Sequence, residues 1–178
     1  MKSPRKPTPI EIYLLPGEIH FADANTRIHT VLGSCISISL WHPLQRSGGM
    51  CHFMLPSRGK AGYGALDGRY ADEAVQLLLR GIERIDALPA AYQVKLFGGG
   101  NMFQAERPEK ALDIATENIA AARRLLDKAG FRIQAEDVGG RGHRRVIFDL
   151  SDGNVWVRHE EIALAHPTGK QRTRKSAR

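Results

Sequence analysis

The stretch RIHTVLGSCISISLWHPLQRSGGMCHFML, residues 27–55, decides the fold. Residues 27–32 and 35–41 alternate with period two, so each reads as a strand whose successive side chains point to opposite faces. In the second run Ile36, Ile38 and Leu40 form an apolar face expected in the core; Cys35, Ser37 and Ser39 form a polar face expected to border a cleft. The polar, Pro-containing segment His42 to Gly48 then turns the chain into a third alternating run, residues 49–55, with Met50, His52 and Met54 on one side. These two runs read as a hairpin. If its loop has an even number of residues, cross-strand partners have numbers summing to an odd value and His52 shares the face of Cys35 and Ser37. An odd loop puts Cys51 there instead.

Outward from the hairpin the periodicity changes. Ala74, Val75, Leu78, Ile82 and Ile85 recur at spacings of three and four, which predicts a helix over Ala71 to Asp86. Tyr92 to Phe97 reads as a strand ending in Gly98, Gly99 and Gly100, and Glu109 to Ala129 as a second helix stopped by Gly130. Further strands are predicted at Phe131 to Ala135, Arg145 to Leu150 and Val155 to Glu161, the last two joined by the turn Ser151 to Asn154. The sum is an α/β chain: a single-domain layered α/β sandwich with a mixed β-sheet and two main helices.

At 178 residues one core is the natural expectation. The formal charge of +7 misleads, because the ends hold much of it. Lys2, Arg5 and Lys6 stand among prolines at the start; Lys170, Arg172, Arg174, Lys175 and Arg178 stand at the finish; neither segment holds an acid. The expected organisation is a flexible basic, Pro-rich arm over 1–10, a folded domain over 11–165 and a flexible basic tail over 166–178. The body is then nearly neutral, which argues against specific nucleic-acid binding. Two cysteines without a C-x-x-C pattern fit a reducing compartment. No signal-like segment or membrane-length apolar run occurs, so membrane insertion is not expected and the cytoplasm is the expected location.

The segment Leu32-Gly33-Ser34-Cys35 joins two strands through small residues just before a thiol, so backbone amides around Gly33 and Ser34 are placed to form an oxyanion hole. Together T-V-L-G-S-C at 30–35, G-x-C-H-F-M-L-P at 49–56, G-R-Y-A-D at 68–72, F-G-G-G-N-M-F at 97–103 and A-E-D-V-G-G at 135–140 closely resemble the CheD family of chemoreceptor glutamine deamidases. The resemblance runs in order from about Pro16 to Phe148. It implies a Cys-His-Thr site on a layered α/β sandwich, with Cys35 as nucleophile, His52 as its base and Thr30 as the residue that orients the imidazole. A one-residue shift of the first strand would exchange Thr30 for His29.

The resemblance further implies the cytoplasmic helices of methyl-accepting chemoreceptors as substrate and a CheC-type phosphatase as a partner. A non-catalytic regulatory module is the alternative reading. Chemically, amide hydrolysis needs a strong nucleophile, and a neighbouring imidazolium is expected to hold Cys35 as thiolate. The same acyl chemistry would serve glutamyl methyl esters, and no cofactor or metal is needed. Gly98 to Gly100 lack a phosphate-loop continuation and are read as allowing close backbone approach near the site. Cys51 is read as core packing, and His143, Arg144 and Arg145 as a solvated basic loop.

Overall fold

The computed structural model describes residues 8–59, 64–84, 88–102 and 113–161. Residues 1–7 of the expected arm, the expected tail 166–178, Ile85 and the expected start of the second helix at Glu109 lie outside these. In chain order the elements are β1 (Ile10–Tyr13), β2 (Ile19–Asp23), β3 (Thr26–Leu32), β4 (Ile36–His42), β5 (Ser47–Phe53), α1 (Ala71–Glu83), β6 (Gln93–Gly98), α2 (Ile114–Lys128), β7 (Ile133–Val138), β8 (His143–Asp149) and β9 (Val155–Glu160). They form the expected layered α/β sandwich, but with two mixed sheets instead of one. Strand order is β1-β3-β8-β9 in the first and β2-β5-β4-β6-β7 in the second.

The hairpin loop Pro43 to Arg46 holds four residues, closed by Arg46 in the left-handed region at φ 48°. The even loop gives the odd-sum register: Ile36 pairs with Phe53 and Ser37 with His52. One face of β4 and β5, made of Ile36, Ile38, Leu40, Cys51 and Phe53, packs under the helices. Helix α1 supplies the predicted stripe of Ala74, Val75, Leu78 and Ile82, and each fully buried Leu or Ile there contributes roughly 1.5–3 kcal/mol. Helix α2 starts at Asp113, whose carboxylate accepts from the Ala115 amide at 3.2 Å, and stops at Gly130, φ +80°.

On the opposite face of the hairpin Ser37 and Ser39 do not border an open cleft. That face is covered by the four-stranded sheet, and Leu14, Ile28, Leu32, Met50, Phe97, Val146 and Phe148 fill the space between. Ser37 is buried there and donates to the Cys51 carbonyl at 2.6 Å, so its polarity is satisfied within the hairpin. Two strands have no counterpart in the sequence reading: β1, which begins at Ile10 inside the expected arm and runs parallel to β3, and β2, which pairs with β5. His143 to Arg145 are strand β8, not a loop, and Arg144 is only 2% exposed. No helix among the described residues is long and apolar enough to cross a membrane.

Candidate active site

The connector Gly33 to Cys35 carries the chain from the four-stranded sheet into the five-stranded one. Its carbonyls are all engaged: Gly33 accepts from the Gly100 amide (2.8 Å), Cys35 from the Gly99 amide (2.8 Å) and Ser34 from the Asn118 carboxamide (3.0 Å). Gly98 must be glycine here, since its φ is +111° and a Cβ would stand 2.2 Å from the Cys35 carbonyl oxygen. Among the described residues no backbone group accepts from the Ser34 amide. The expected close approach of the triple glycine is therefore to the connector itself.

His52 lies opposite Ser37 in the hairpin, and Cys35, just ahead of β4, packs against the core between the two sheets. A clasp between β1 and β2 holds its backbone: the Gly17 amide donates to the His52 carbonyl (2.7 Å) and the His52 amide to the Glu18 carbonyl (3.1 Å). The ring is met from the other sheet. Thr30 points inward from β3 and its hydroxyl donates to the Leu14 carbonyl at 2.9 Å. With that proton spent, the hydroxyl accepts at its 2.9 Å contact with His52 Nδ1. Nδ1 thus carries the hydrogen and Nε2 the lone pair. His29, one position away, faces outward, stacked on Tyr13 with ring centroids 4.8 Å apart and paired with Glu11.

Nε2 is buried and has no hydrogen-bond partner among the described residues. An imidazole acceptor left unpaired in a protein interior is costly unless a reaction uses it. Burial drives His52 down to about 4, against the Leu14 carbonyl and the Glu18 charge, which favour the protonated ring. Burial likewise pushes the Cys35 thiol up, only partly countered by its own amide. At rest the thiol and the imidazole are therefore both neutral, unlike the ion pair expected from the sequence, and no hydrogen bond joins them. Cys51, on the helix-facing side, is fully buried with its thiol pushed up to about 12, and is inert packing as expected.

The depressed imidazole has a consequence for stability. Between pH 6.5 and about 4 the unfolded chain takes up a proton on His52 that the folded chain refuses, so stability falls as pH falls through this window. The loss is about 3 kcal/mol across it, flat below, and absent in His52→Gln. Urea melts of both proteins across these pH values check this.

A cavity of about 560 Å³, walled by Tyr13, Leu15, Val31, Arg145 and Ile147, opens onto Thr30 and His52. Sequence reasoning did not single out the Leu14 carbonyl, which has no side-chain signature, or Asn118. The latter left a trace: a polar residue within the Ala115, Ala121, Ala122 and Leu126 stripe of α2.

Comparison with known proteins follows the same direction. The family model described as CheD chemotactic sensory transduction matches residues 54–159. A protein named "Probable chemoreceptor glutamine deamidase CheD" from Pseudomonas syringae pv. syringae is 48% identical over 94% of this chain and 94% of its own. Its namesake from Pseudomonas fluorescens is 46% identical over 97% and 96%, and "Probable chemoreceptor glutamine deamidase CheD 1" of Leptospira interrogans 40% over 86% and 95%. Among solved structures, the Bacillus licheniformis hypothetical protein YfiH aligns with a TM-score of 0.43 at 15% identity, over 66% of this chain and 49% of that one, too slight a likeness to argue from. A family-model match across more than half the residues, with relatives this similar over nearly the full length, means that the chain belongs to the CheD family.

Proposed function

We propose that this chain is a chemoreceptor glutamine deamidase, acting in the cytoplasm on glutamine side chains of receptor helices. The observation that carries the reading is the Leu14–Thr30–His52 relay, which leaves an unprotonated, unpartnered Nε2 between the two sheets, against whose shared core Cys35 also packs. The names of the relatives support the substrate class.

The reaction follows from the neutral resting pair. As Cys35 Sγ attacks the glutamine carbonyl carbon, its proton passes to His52 Nε2, so the thiolate exists only in the attack itself. The carbonyl electrons move to oxygen, and the amides of Ser34 and Cys35 receive that charge. The Nε2 proton then goes to the departing nitrogen, ammonia leaves and a thioester remains. Water enters, gives its proton to Nε2 and attacks the thioester; collapse returns a proton to Sγ and frees glutamate. Thr30 keeps the ring in the required tautomer throughout. Glutamyl methyl esters pass through the same thioester, with methanol leaving in place of ammonia.

Incubation of a receptor cytoplasmic fragment with the parent protein is expected to release ammonia, measured by a coupled dehydrogenase assay, and incubation with Cys35→Ala to release none. Ammonia release that persists in Cys35→Ala removes the mechanism.

A further inference from the structure

Asn118 is fully buried on the sheet-facing side of α2, among alanines and Leu126. Both hydrogens of its Nδ2 are used: one goes to the Ser34 carbonyl at 3.0 Å, the other to the Met54 carbonyl at 2.7 Å. Ser34 immediately precedes Cys35, and Met54 lies two residues after His52. The hairpin ladder stops at the pair Ile36 and Phe53, one residue short of Met54 and two short of Ser34. Asn118 thus bridges the two strand ends where their own hydrogen bonds give out.

A peptide unit is planar, with its C=O and N–H pointing in opposite directions. Drawing the Ser34 carbonyl toward α2 therefore turns the Cys35 N–H away from α2. The carboxamide achieves this at a cost, because its Oδ1 is buried with no hydrogen-bond partner among the described residues. A leucine would fit the stripe of α2 without an orphaned acceptor, so packing alone does not account for an asparagine here.

We infer that Asn118 is a positioning residue, orienting the Ser34–Cys35 peptide so that the Cys35 amide faces the developing oxyanion, and tying the Cys35 strand end to the His52 strand end. This rests on the deamidase reading for its kinetic consequence but not for its structural one. Two variants test it: Asn118→Leu, which keeps the packing, and Asn118→Asp, which keeps the shape but donates no hydrogen as a carboxylate. With receptor fragment, both are expected to lose about 10²-fold in kcat with KM unchanged, the size of effect of losing one oxyanion donor.

Independently of any deamidation, the pH profile of Cys35 alkylation by iodoacetamide, read by peptide mass, is expected to move to higher pH in both variants, since the Ser34–Cys35 peptide dipole beside the thiol is no longer held in one orientation. Buried Cys51 does not compete for the reagent. Parent-like kcat with a parent-like alkylation profile in Asn118→Leu overturns the inference. So does unfolding of both variants at the assay temperature, which would assign Asn118 to the fold alone. If the parent itself releases no ammonia, the deamidase reading fails, and the alkylation profile still decides the role of Asn118.

Discussion

His52→Ala is expected to remain folded and to lose deamidation by roughly 10⁴-fold, because in the proposed mechanism one imidazole both takes the thiol proton and delivers it to the leaving nitrogen. The neutral resting pair makes the dependence steep. A preformed thiolate could attack without a base; a half-buried, neutral thiol whose acidity is weakened by its surroundings cannot. The fold should survive, since the Thr30 hydroxyl keeps its bond to the Leu14 carbonyl when the ring is removed. Thr30→Val separates orientation from proton transfer. It leaves the Leu14 carbonyl and His52 Nδ1 without their partner, and a loss nearer 10²-fold is expected as the ring samples other tautomers and positions. Ammonia release at saturating receptor fragment, with circular dichroism to establish folding, measures both. Equal losses in the two variants would mean that Thr30 does more than orient.

The largest expected effect on stability lies at Asp137. Arg144 is 2% exposed and reaches from β8 to β7, its Nε and Nη2 standing 2.9 and 2.8 Å from Asp137 Oδ1. It joins the two sheets beside the connector, for Arg144 pairs with Leu32, the residue before Gly33. Its Nη1 already has no hydrogen-bond partner among the described residues. Asp137→Ala leaves a buried guanidinium without its counter-charge, and a loss of about 3 kcal/mol is expected. Arg144→Met removes the charge and keeps the stem. The Asp137 side chain is 44% exposed and stays hydrated, so a loss of no more than about 1 kcal/mol is expected. Chemical denaturation of both variants gives the comparison. The reverse order would show that the cost lies in lost packing and not in a stranded charge.

How far the sequence foretold this molecule depended on how local each signal was. The β4–β5 hairpin was legible because alternation and a single parity argument suffice: an even loop puts Ser37 opposite His52. The α1 stripe was legible for the same reason. Both faces of the hairpin are buried, yet the serines on one of them read as a cleft wall. Ser37 hides its hydroxyl on its own hairpin's backbone, a pairing that composition does not display. Strands β1 and β2 are short and flank Pro16 and Gly17, so they carry too few alternations to register. Arg144 read as solvated because buried arginines are rare and its partner lies on another strand. Within the site, Cys35, His52 and Thr30 were named from motif and interval, and the choice between Thr30 and His29 needed the facing of β3. The carbonyls and amides that surround them, from Leu14, Gly99 and Gly100, belong to the backbone and leave no mark in a one-letter string.

The central claim is that Cys35 performs acyl transfer on receptor glutamines. Its most direct measurement is intact mass with peptide mapping of a chemoreceptor cytoplasmic fragment after incubation with the parent protein and with Cys35→Ala. A gain of about one dalton at discrete glutamines is expected with the parent and none with the variant, the change from amide to acid. An unchanged mass with both proteins, on a fragment that demonstrably binds, would contradict it.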